Sequence, residues 1–596
     1  MVMLYLYGLM FSAWQRKLFF SLLLISCFSN GSMLRAQVIH DQIERACAIL
    51  KERGEVVFEF YPEDVSVIRE INTILSVERR VSKIVDPFTG ERKQPYPYRA
   101  YANSAGFRSF LDYNIPFKLI EPESRKKSWT STEDFPGSWD VYPTHNQYTW
   151  YMEYMAAEYP GICDLDTIGQ SVDGRNILVM KISANPDLHE TEPAFVYSST
   201  MHGDETTGYV ILLRLINYLC SNYNSDPLVT KLIENIEIWI NPLANPDGAY
   251  SDNDAVPGYT RFNANHVDLN RNFPGIQGSE HPDGQPYQPE TMAQMNFLRS
   301  IYMVLGANIH DGIEVVNFPF DTWASLHADD DWYRRTSREY AREAQNLSGP
   351  VLYMLDLDSG ITNGWDWYEA VGTRQDWVNY HSHAREVTIE ICEDKGASPA
   401  DLPSYWYYNH ASLLRYMEHC LYGIRGMVKD DNTGDPIKAS IVVLDHDTLQ
   451  SHVFSDSMNG FFVRLIEPGS WNIEITAHGY ESTIITDVQV NPDQTTWLDI
   501  RLKSRPTGLS GWQGVDVSPN PFLYHTDLSI YVEWPGQHHI LLFDMMGSLV
   551  HQKSLSCHAK GKYIYSLDGS SLKRGIYLLK IISPSGSYSR KIFKSQ

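Results

Sequence analysis

Ala194-Phe195-Val196-Tyr197-Ser198-Ser199-Thr200-Met201-His202-Gly203-Asp204-Glu205, followed by the periodic stretch Thr207–Cys220, is the segment on which the reading of this chain turns. An apolar strand-like run, 194–199, passes through a polar knot into a helical pattern. A strand feeding directly into a helix is the building unit of an α/β sheet. The alternation spreads outward from there. Strand-like runs recur at Ile177–Ile182, Ile236–Asn241 and Val387–Ile391, and helical patterns at Glu290–Leu305, Tyr333–Ala344 and Ser404–Cys420. Residues 129–422 therefore read as an α/β domain around a central mixed sheet. The knot itself has chemistry. His202-x-x-Glu205 sets an imidazole and a carboxylate three positions apart, so one turn of chain can aim both at a single cation. A catalytic zinc takes three N or O ligands and keeps one position open. His310, which closes the run Gly306-Ala307-Asn308-Ile309, can be the third ligand, although taken alone a histidine there reads first as a core residue. Glu390 stands out for another reason: a carboxylate inside an apolar strand costs free energy unless it is paired or used.

The flanks have other textures. Residues 37–124 predict strand, helix, strand, strand, helix, strand (Gly54–Tyr61, Asp64–Ser76, Val81–Ile84, Tyr98–Ala102, Ala105–Tyr113, Pro116–Ile120), an order that is ferredoxin-like. A linker follows at Glu121–Ser128, and its Arg125-Lys126-Lys127 run reads either as a proteolytic activation site or as an ordinary solvated connection. Residues 423–503 hold short alternating strands with turns at Asn432-Thr433-Gly434 and Asn459-Gly460, which predicts a small β-sandwich. A Pro/Gly/Ser-rich linker, 504–514, separates it from a second β module at 515–596. At the front, Arg16-Lys17 and the apolar run Leu18–Phe28 read as a secretory signal over residues 1–36, too short to span a bilayer, with cleavage after Ala36. Leu24-Ile25-Ser26-Cys27 also loosely resembles a lipoprotein box. No later stretch reads as a transmembrane helix. Acidic side chains outnumber basic ones 73 to 49, for a net charge of −24, which argues against a nucleic-acid partner. The cysteines are scattered without a CxxC pair, so a zinc knuckle is not expected and no disulfide pairing can be deduced.

Several motifs then add up. His202-x-x-Glu205, Asn245-Pro246-Asp247-Gly248, Arg261-Phe262-Asn263-Ala264-Asn265, Asp268-Leu269-Asn270-Arg271-Asn272-Phe273-Pro274, His310, Gly360-Ile361-Thr362-Asn363-Gly364, and Tyr368 ahead of Glu390 together make residues 129–422 resemble the zinc metallocarboxypeptidases, about half of the chain. The resemblance implies roles position by position. His202, Glu205 and His310 would bind one zinc ion, and Asp268 would orient His202. Glu390 would be the general base. Arg261 would stabilise the developing oxyanion. Asn270 and Arg271 would clamp the terminal carboxylate of the substrate, and Tyr368 would close over the bound residue. Asp321 and Gln375 resemble the carboxypeptidase N, E and D branch, in which an acidic pocket selects a C-terminal Lys or Arg. Asp311 departs from the family pattern, where a small residue is usual beside the ligand histidine.

The outer modules carry their own likenesses. Gly423-Ile424-Arg425-Gly426 and Asn459-Gly460-Phe461-Phe462 resemble the transthyretin-like domain that follows the catalytic domain in the N/E branch. Residues 37–124 share an order of elements with the activation domains of secreted procarboxypeptidases. Ser518-Pro519-Asn520-Pro521, Leu542-Phe543-Asp544, Arg574-Gly575-Ile576-Tyr577 and the basic end at Arg590-Lys591 resemble the C-terminal sorting domain of the type IX secretion system. The expectation is a secreted or surface-bound monomeric zinc carboxypeptidase whose partners are peptide substrates ending in Lys or Arg and the type IX secretion machinery. Two alternatives stand beside it: the same fold with apolar or peptidoglycan-peptide specificity, and a surface binding protein that does not turn over.

Overall fold

The computed structural model describes residues 30–62, 64, 66–79, 97–120, 135, 139–255, 257–276, 281–504, 515–532, 535–545, 547–570, 572–583 and 586–595. The apolar run Leu18–Phe28, the strand expected at Val81–Ile84, the basic linker Arg125–Lys127 and the linker 505–514 lie outside the described residues.

The first block comprises α1 (Asn30–Arg53), β1 (Val56–Phe60), α2 (Val67–Ile71), β2 (Ser76–Arg79), β3 (Tyr98–Ala102), α3 (Ser104–Leu111) and β4 (Phe117–Leu119). Its sheet runs β2-β3-β1-β4, and every neighbouring pair is antiparallel. Phe58, Phe107, Phe110 and Phe117 fill the space beneath it, with Phe58 and Phe110 centroids 4.6 Å apart. Two features differ from the sequence reading. Helix α1 has no counterpart there, and it runs through the anticipated cleavage position. The helix expected over Asp64–Ser76 stops at Ile71, because the Asn72 side chain turns back to accept the Val77 N–H at 3.2 Å and the chain becomes a strand. In that strand Val77 enters the block's own core, while Ser76 and Glu78 face the next domain.

The second domain holds β5 (Cys163–Gln170), β6 (Asn176–Ile182), β7 (Ala194–Ser199), β8 (Glu237–Asn241), β9 (Met303–His310), β10 (Ile313–Phe318), β11 (Ile361–Asn363) and β12 (Arg385–Cys392). They form one mixed sheet in the order β11-β10-β12-β9-β7-β8-β6-β5. The central pairs β12/β9, β9/β7 and β7/β8 are parallel, and β10/β12, β6/β8 and β5/β6 are antiparallel. Helices α4 (His145–Glu158), α5 (Thr207–Asn222), α6 (Pro227–Ile233), α7 (Pro289–Ser300), α8 (Asp330–Ser348), α9 (Arg374–His381) and α10 (Leu402–Glu418) surround it. The helix expected over Glu290–Leu305 ends at Ser300, and Met303 starts β9. A strand covered on both faces is apolar throughout, so its first residues prolong a helical pattern in the sequence.

Downstream, β13 (Gly423–Asp430), β14 (Ser440–Val443), β15 (Val453–Phe454), β16 (Phe461–Arg464), β17 (Gly469–Thr476), β18 (Thr483–Val490) and β19 (Thr495–Leu502) form two sheets, β16-β13-β19 and β15-β14-β17-β18. Phe461, Val463 and Leu465 belong to the main core of the preceding domain, so the two units share apolar packing. The last block, 516–594, is two antiparallel sheets with its own core. Among the described residues, no helix is long and apolar enough to cross a membrane.

Candidate active site

The polar residues of the sequence motifs gather at one end of the central strands. His202 and Glu205 sit in the loop that leaves β7, His310 ends β9, and Glu390 lies beside His310 in register on β12. His202 Nδ1 is 3.0 Å from Glu205 Oε1, His310 Nδ1 is 2.7 Å from Glu205 Oε2, and the two Nδ1 atoms are 3.1 Å apart. All three side chains are buried, and one ligand atom from each falls within 4.8 Å of the others.

The residues around them fit a cation at this point. Asp268 Oδ1 lies 3.0 Å from His202 Nε2, and a proton held there leaves Nδ1 as a bare lone pair. Asn308 stands 2.6 Å from His310 Nε2, and its Oδ1 is buried without a partner; turned to accept the Nε2 proton, it frees His310 Nδ1 in the same way. Burial brings His310 down to about 4, so its ring is neutral. Burial opposes ionisation of Glu205, but His202 and Lys395 outweigh it and hold the carboxyl well below the ordinary range. Burial and Arg261 oppose a charge on His202, but Glu205 and Asp268 outweigh them and raise it above its ordinary value. His202 would therefore give up a proton as a cation enters, and two imidazoles and one carboxylate are then the donor set of a catalytic zinc.

Around this centre the structure brings every other motif residue together. Arg261 is almost fully buried; its Nε donates to Asp268 Oδ2 at 2.9 Å and its Nη1 to Glu205 Oε1 at 3.2 Å. Asp268 caps the turn Leu269–Arg271 by accepting the Asn270 N–H at 2.8 Å. Arg271 donates Nη1 to the Asn270 carbonyl, while its Nε and Nη2 are buried without partners. Asn270 Oδ1 takes the Arg374 N–H at 2.9 Å. Glu390 Oε2 is also buried and unpartnered, and burial followed by the charges of Glu205 and Glu78 pushes its carboxyl well above the ordinary range. Tyr368 and Glu390 line a cavity of about 30 Å³. Farther in, Asp321 accepts from Thr373 Oγ1 at 2.8 Å, Asn317 Nδ2 at 2.9 Å and Gln375 Nε2 at 3.2 Å. Gly364 must be glycine here, since a Cβ would fall 2.0 Å from Asp321 Oδ1. Asp311 plays a structural part. Its Oδ2 receives the N–H groups of Thr207 and Gly396, each at 3.0 Å, and so ties the start of α5 to the loop after β12.

Sequence reasoning missed several groups. Lys395 places Nζ 2.7 Å from Glu205 Oε1 and 3.8 Å from Asp204. It follows Glu390 on an irregular loop, where nothing in the spacing marks it. The first block also reaches the site. Glu78 of β2 lies 2.6 Å from Arg261 Nη1 and 3.3 Å from Lys395 Nζ. Ser76 donates to Asp268, Glu55 accepts the Arg261 N–H at 3.1 Å, and the Tyr101 ring lies under both Arg261 and Lys395. Glu78 and Arg79 form part of the wall of the small cavity.

Comparison with known proteins agrees with this geometry. Residues 148–414 match the zinc carboxypeptidase model, residues 423–503 the carboxypeptidase regulatory-like domain, and residues 516–595 the secretion system C-terminal sorting domain. Carboxypeptidase D of Homo sapiens is 39% identical over 345 residues, covering 55% of this chain and 24% of its own length. The alignment thus spans about a quarter of that relative. The carboxypeptidase N catalytic chain of Homo sapiens is 33% identical over 383 residues, 58% of this chain and 82% of its own. The chain belongs to the zinc carboxypeptidase family. Carboxypeptidase M of Mus musculus, 35% identical over 346 residues, is covered over 77% of its length and aligns with 56% of this chain. Among solved structures, carboxypeptidase A from Helicoverpa armigera superposes with a TM-score of 0.47 at 17% identity, covering 62% of this chain and 97% of its own. In this family member the transthyretin-like regulatory domain and the type IX sorting domain follow the catalytic domain directly along the chain.

Proposed function

We propose that the chain is an exported zinc metallocarboxypeptidase that removes one C-terminal residue, preferring Lys or Arg. The observation that carries this reading is a set of buried, unpartnered atoms around one ligand cluster: Glu390 Oε2 and Arg271 Nε and Nη2 beside His202, Glu205 and His310. Buried polar atoms without partners cost free energy and mark places where a ligand completes the hydrogen bonding. His202, Glu205 and His310 would hold zinc, which would supply an acidified water and a polarised carbonyl.

The chain's own groups do the rest. The Arg271 fork takes the terminal carboxylate in a bidentate grip, with Asn270 beside it, which limits cleavage to the last peptide bond. Glu390 Oε2 accepts the proton of the attacking water and returns it to the leaving nitrogen. Arg261 supports the oxygen that gains charge. Tyr368 covers the bound residue. Asp321, with the free Oε1 of Gln375 and Oδ1 of Asn317 near it, offers a negative, hydrogen-bonding end to the pocket, which suits a cationic side chain.

The first block reads as a ferredoxin-like inhibitory domain, a reading supported by its order of strands and by the position of Glu78. Its carboxylate sits on Arg261, where the reacting oxygen would be stabilised. Cutting at Arg125–Lys127 would release it. The N-terminal signal and the sorting domain would carry the protein to the surface or the medium.

Protein cut at the basic linker is tested on blocked dipeptides that differ only in the last residue, with and without a chelator. Chelator-sensitive release of Lys and Arg, well above Leu and Phe, is expected, and Asp321→Ala should lower the Lys and Arg rates roughly ten- to a hundredfold while sparing Leu. Faster release of Leu or Phe would remove Asp321 as the selector. No release from any dipeptide would favour the binding-protein alternative.

A further inference from the structure

One pair of side chains outside the active site has no role in that chemistry. Cys163 opens β5, the edge strand of the sheet, and Cys220 lies in the last turn of α5, the helix that begins just after Glu205. Their Sγ atoms are 3.2 Å apart, and both side chains are buried, with exposures of 5% and 3%. The two residues are 57 apart in the sequence, and the intervening chain holds β6, β7 and the His202–Glu205 motif.

We propose that Cys163 and Cys220 are a disulfide in the exported protein, closing the loop that carries two of the three metal ligands. The geometry favours a bond in this place. The sulfurs already touch, so oxidation needs only a small approach of two side chains. Neither sulfur belongs to the group of side chains that could hold the metal ion. The sorting domain at residues 516–595 belongs to a secretion route, and chains that leave the reducing interior of a cell retain disulfides. The reaction balances with a protein or small-molecule disulfide as oxidant. Each cysteine loses its proton, one Sγ–Sγ bond forms, and the two electrons reduce the oxidant's disulfide to two thiols. It takes place during folding, before β5 packs over the helix. A cross-link across a loop of this length acts mainly on the unfolded chain, whose freedom it reduces. Its consequence for function is that the β7 motif and the helix behind it stay registered against the sheet edge after export.

Full-length exported protein, or reduced protein refolded with oxidised glutathione, is denatured without reductant, alkylated, digested and examined by mass spectrometry. The expected product is one linked peptide pair containing Cys163 and Cys220, with Cys47, Cys392, Cys420 and Cys557 alkylated. Alkylation of Cys163 and Cys220 in the unreduced sample would overturn the proposal and leave a hydrogen-bonded thiol pair. A second readout does not depend on digestion. Wild-type protein reduced while unfolded and refolded in reductant should melt roughly 5–10 °C below the oxidised protein. Cys163→Ser and Cys220→Ser should each start at the lower Tm and lose all sensitivity to reductant. A wild-type Tm unchanged after reduction in the unfolded state would equally sink the idea.

Discussion

Arg464 and Glu78 both reach into the catalytic domain from a neighbouring block, but they meet different chemistry there. On the transthyretin-like side, Arg464 of β16 lies 2.9 Å from both carboxylate oxygens of Asp329, and Asp329 in turn holds Arg385 at 2.6 Å. Asp447 adds a second anion to Arg464, and all four side chains are buried. Apolar residues of β16 complete the catalytic core around them. On the N-terminal side, Glu78 is partly open and contacts Arg261 and Lys395, groups that belong to the active site. The shared apolar cluster there is small: Val57, Tyr101 and Phe262, with Ile120 against them. One joint is made of buried ion pairs and core packing, while the other runs through residues that the proposed reaction would also use. The first is suited to permanence and the second to release. A single strand links them, since Arg385 begins β12 and Glu390 lies near its end, about 17 Å away at ordinary strand rise.

The largest expected effect tests the active-site end of β12. Glu390→Gln keeps the shape and removes the proton acceptor. The substituted protein should bind zinc normally and lose kcat by roughly 10²–10⁴-fold. Metal content and single-turnover rates measured on the same sample would check this. A rate close to wild type would take the base assignment away from Glu390 and dissolve the contrast between a chemical end and a structural end of the strand.

Arg464→Ala attacks the other end. It leaves Asp329 and Asp447 buried with one cation fewer, and breaking a buried ion pair on one side costs about 3–5 kcal/mol. Denaturant unfolding should show that loss, while kcat/KM of the folded fraction stays close to wild type. If activity fell together with stability, the transthyretin-like joint would be positioning Glu390 through β12, and the two joints would be less independent than their chemistry suggests.

What could be read from the sequence follows the same division. The sheet, its helices and the metal cluster were legible because each ligand ends or follows an apolar run, and those runs fix which end of the sheet the side chains share. The joints were not. Glu78 sits in Ser76-Val77-Glu78-Arg79, where only Val77 is apolar, so the segment carries no strand signal and looks like the tail of a helix. Its polar residues are there to meet another domain, and periodicity cannot report a contact made across domains. Arg464, Arg385 and Asp329 are far apart in sequence and pair only through tertiary structure. The helix boundary at Ser300 was lost for a different reason, because a strand buried on both faces mimics a helix of the same composition. The helix Asn30–Arg53 was hidden by the expectation of a cleaved signal at its start.

Glu78→Gln gives the smallest effect and the sharpest test of the releasable joint. Unlike the loss of Arg464, it strands no charge: Arg261 keeps Asp268 at 2.9 Å and Lys395 keeps Glu205 at 2.7 Å. Weakening one charge-assisted contact by about 1.5 kcal/mol should raise the open fraction roughly tenfold at most. In the uncut chain this should lower KM for C-terminal Lys substrates with little change in kcat, because Glu78 and substrate compete for the same site. Once the linker is cut and the first block removed, the substitution should have no effect. Mild acid should not reproduce it. Burial pushes the Glu78 carboxyl up, but Lys395 and Arg261 outweigh burial and bring it to about 2, below its value in the undocked chain. A depressed carboxylate contributes its docking energy at every pH above the ordinary carboxylate range and loses it only as pH falls toward that value. Acidifying the uncut chain from about pH 8 to 5 should therefore not open it. Glu78 stays ionised, and Glu55 in the same joint, which burial raises to about 7, favours docking as it gains its proton, so release in mild acid should need the cut. Equal activity of cut and uncut protein, with or without Glu78, would mean that the N-terminal block rests on the site without closing it.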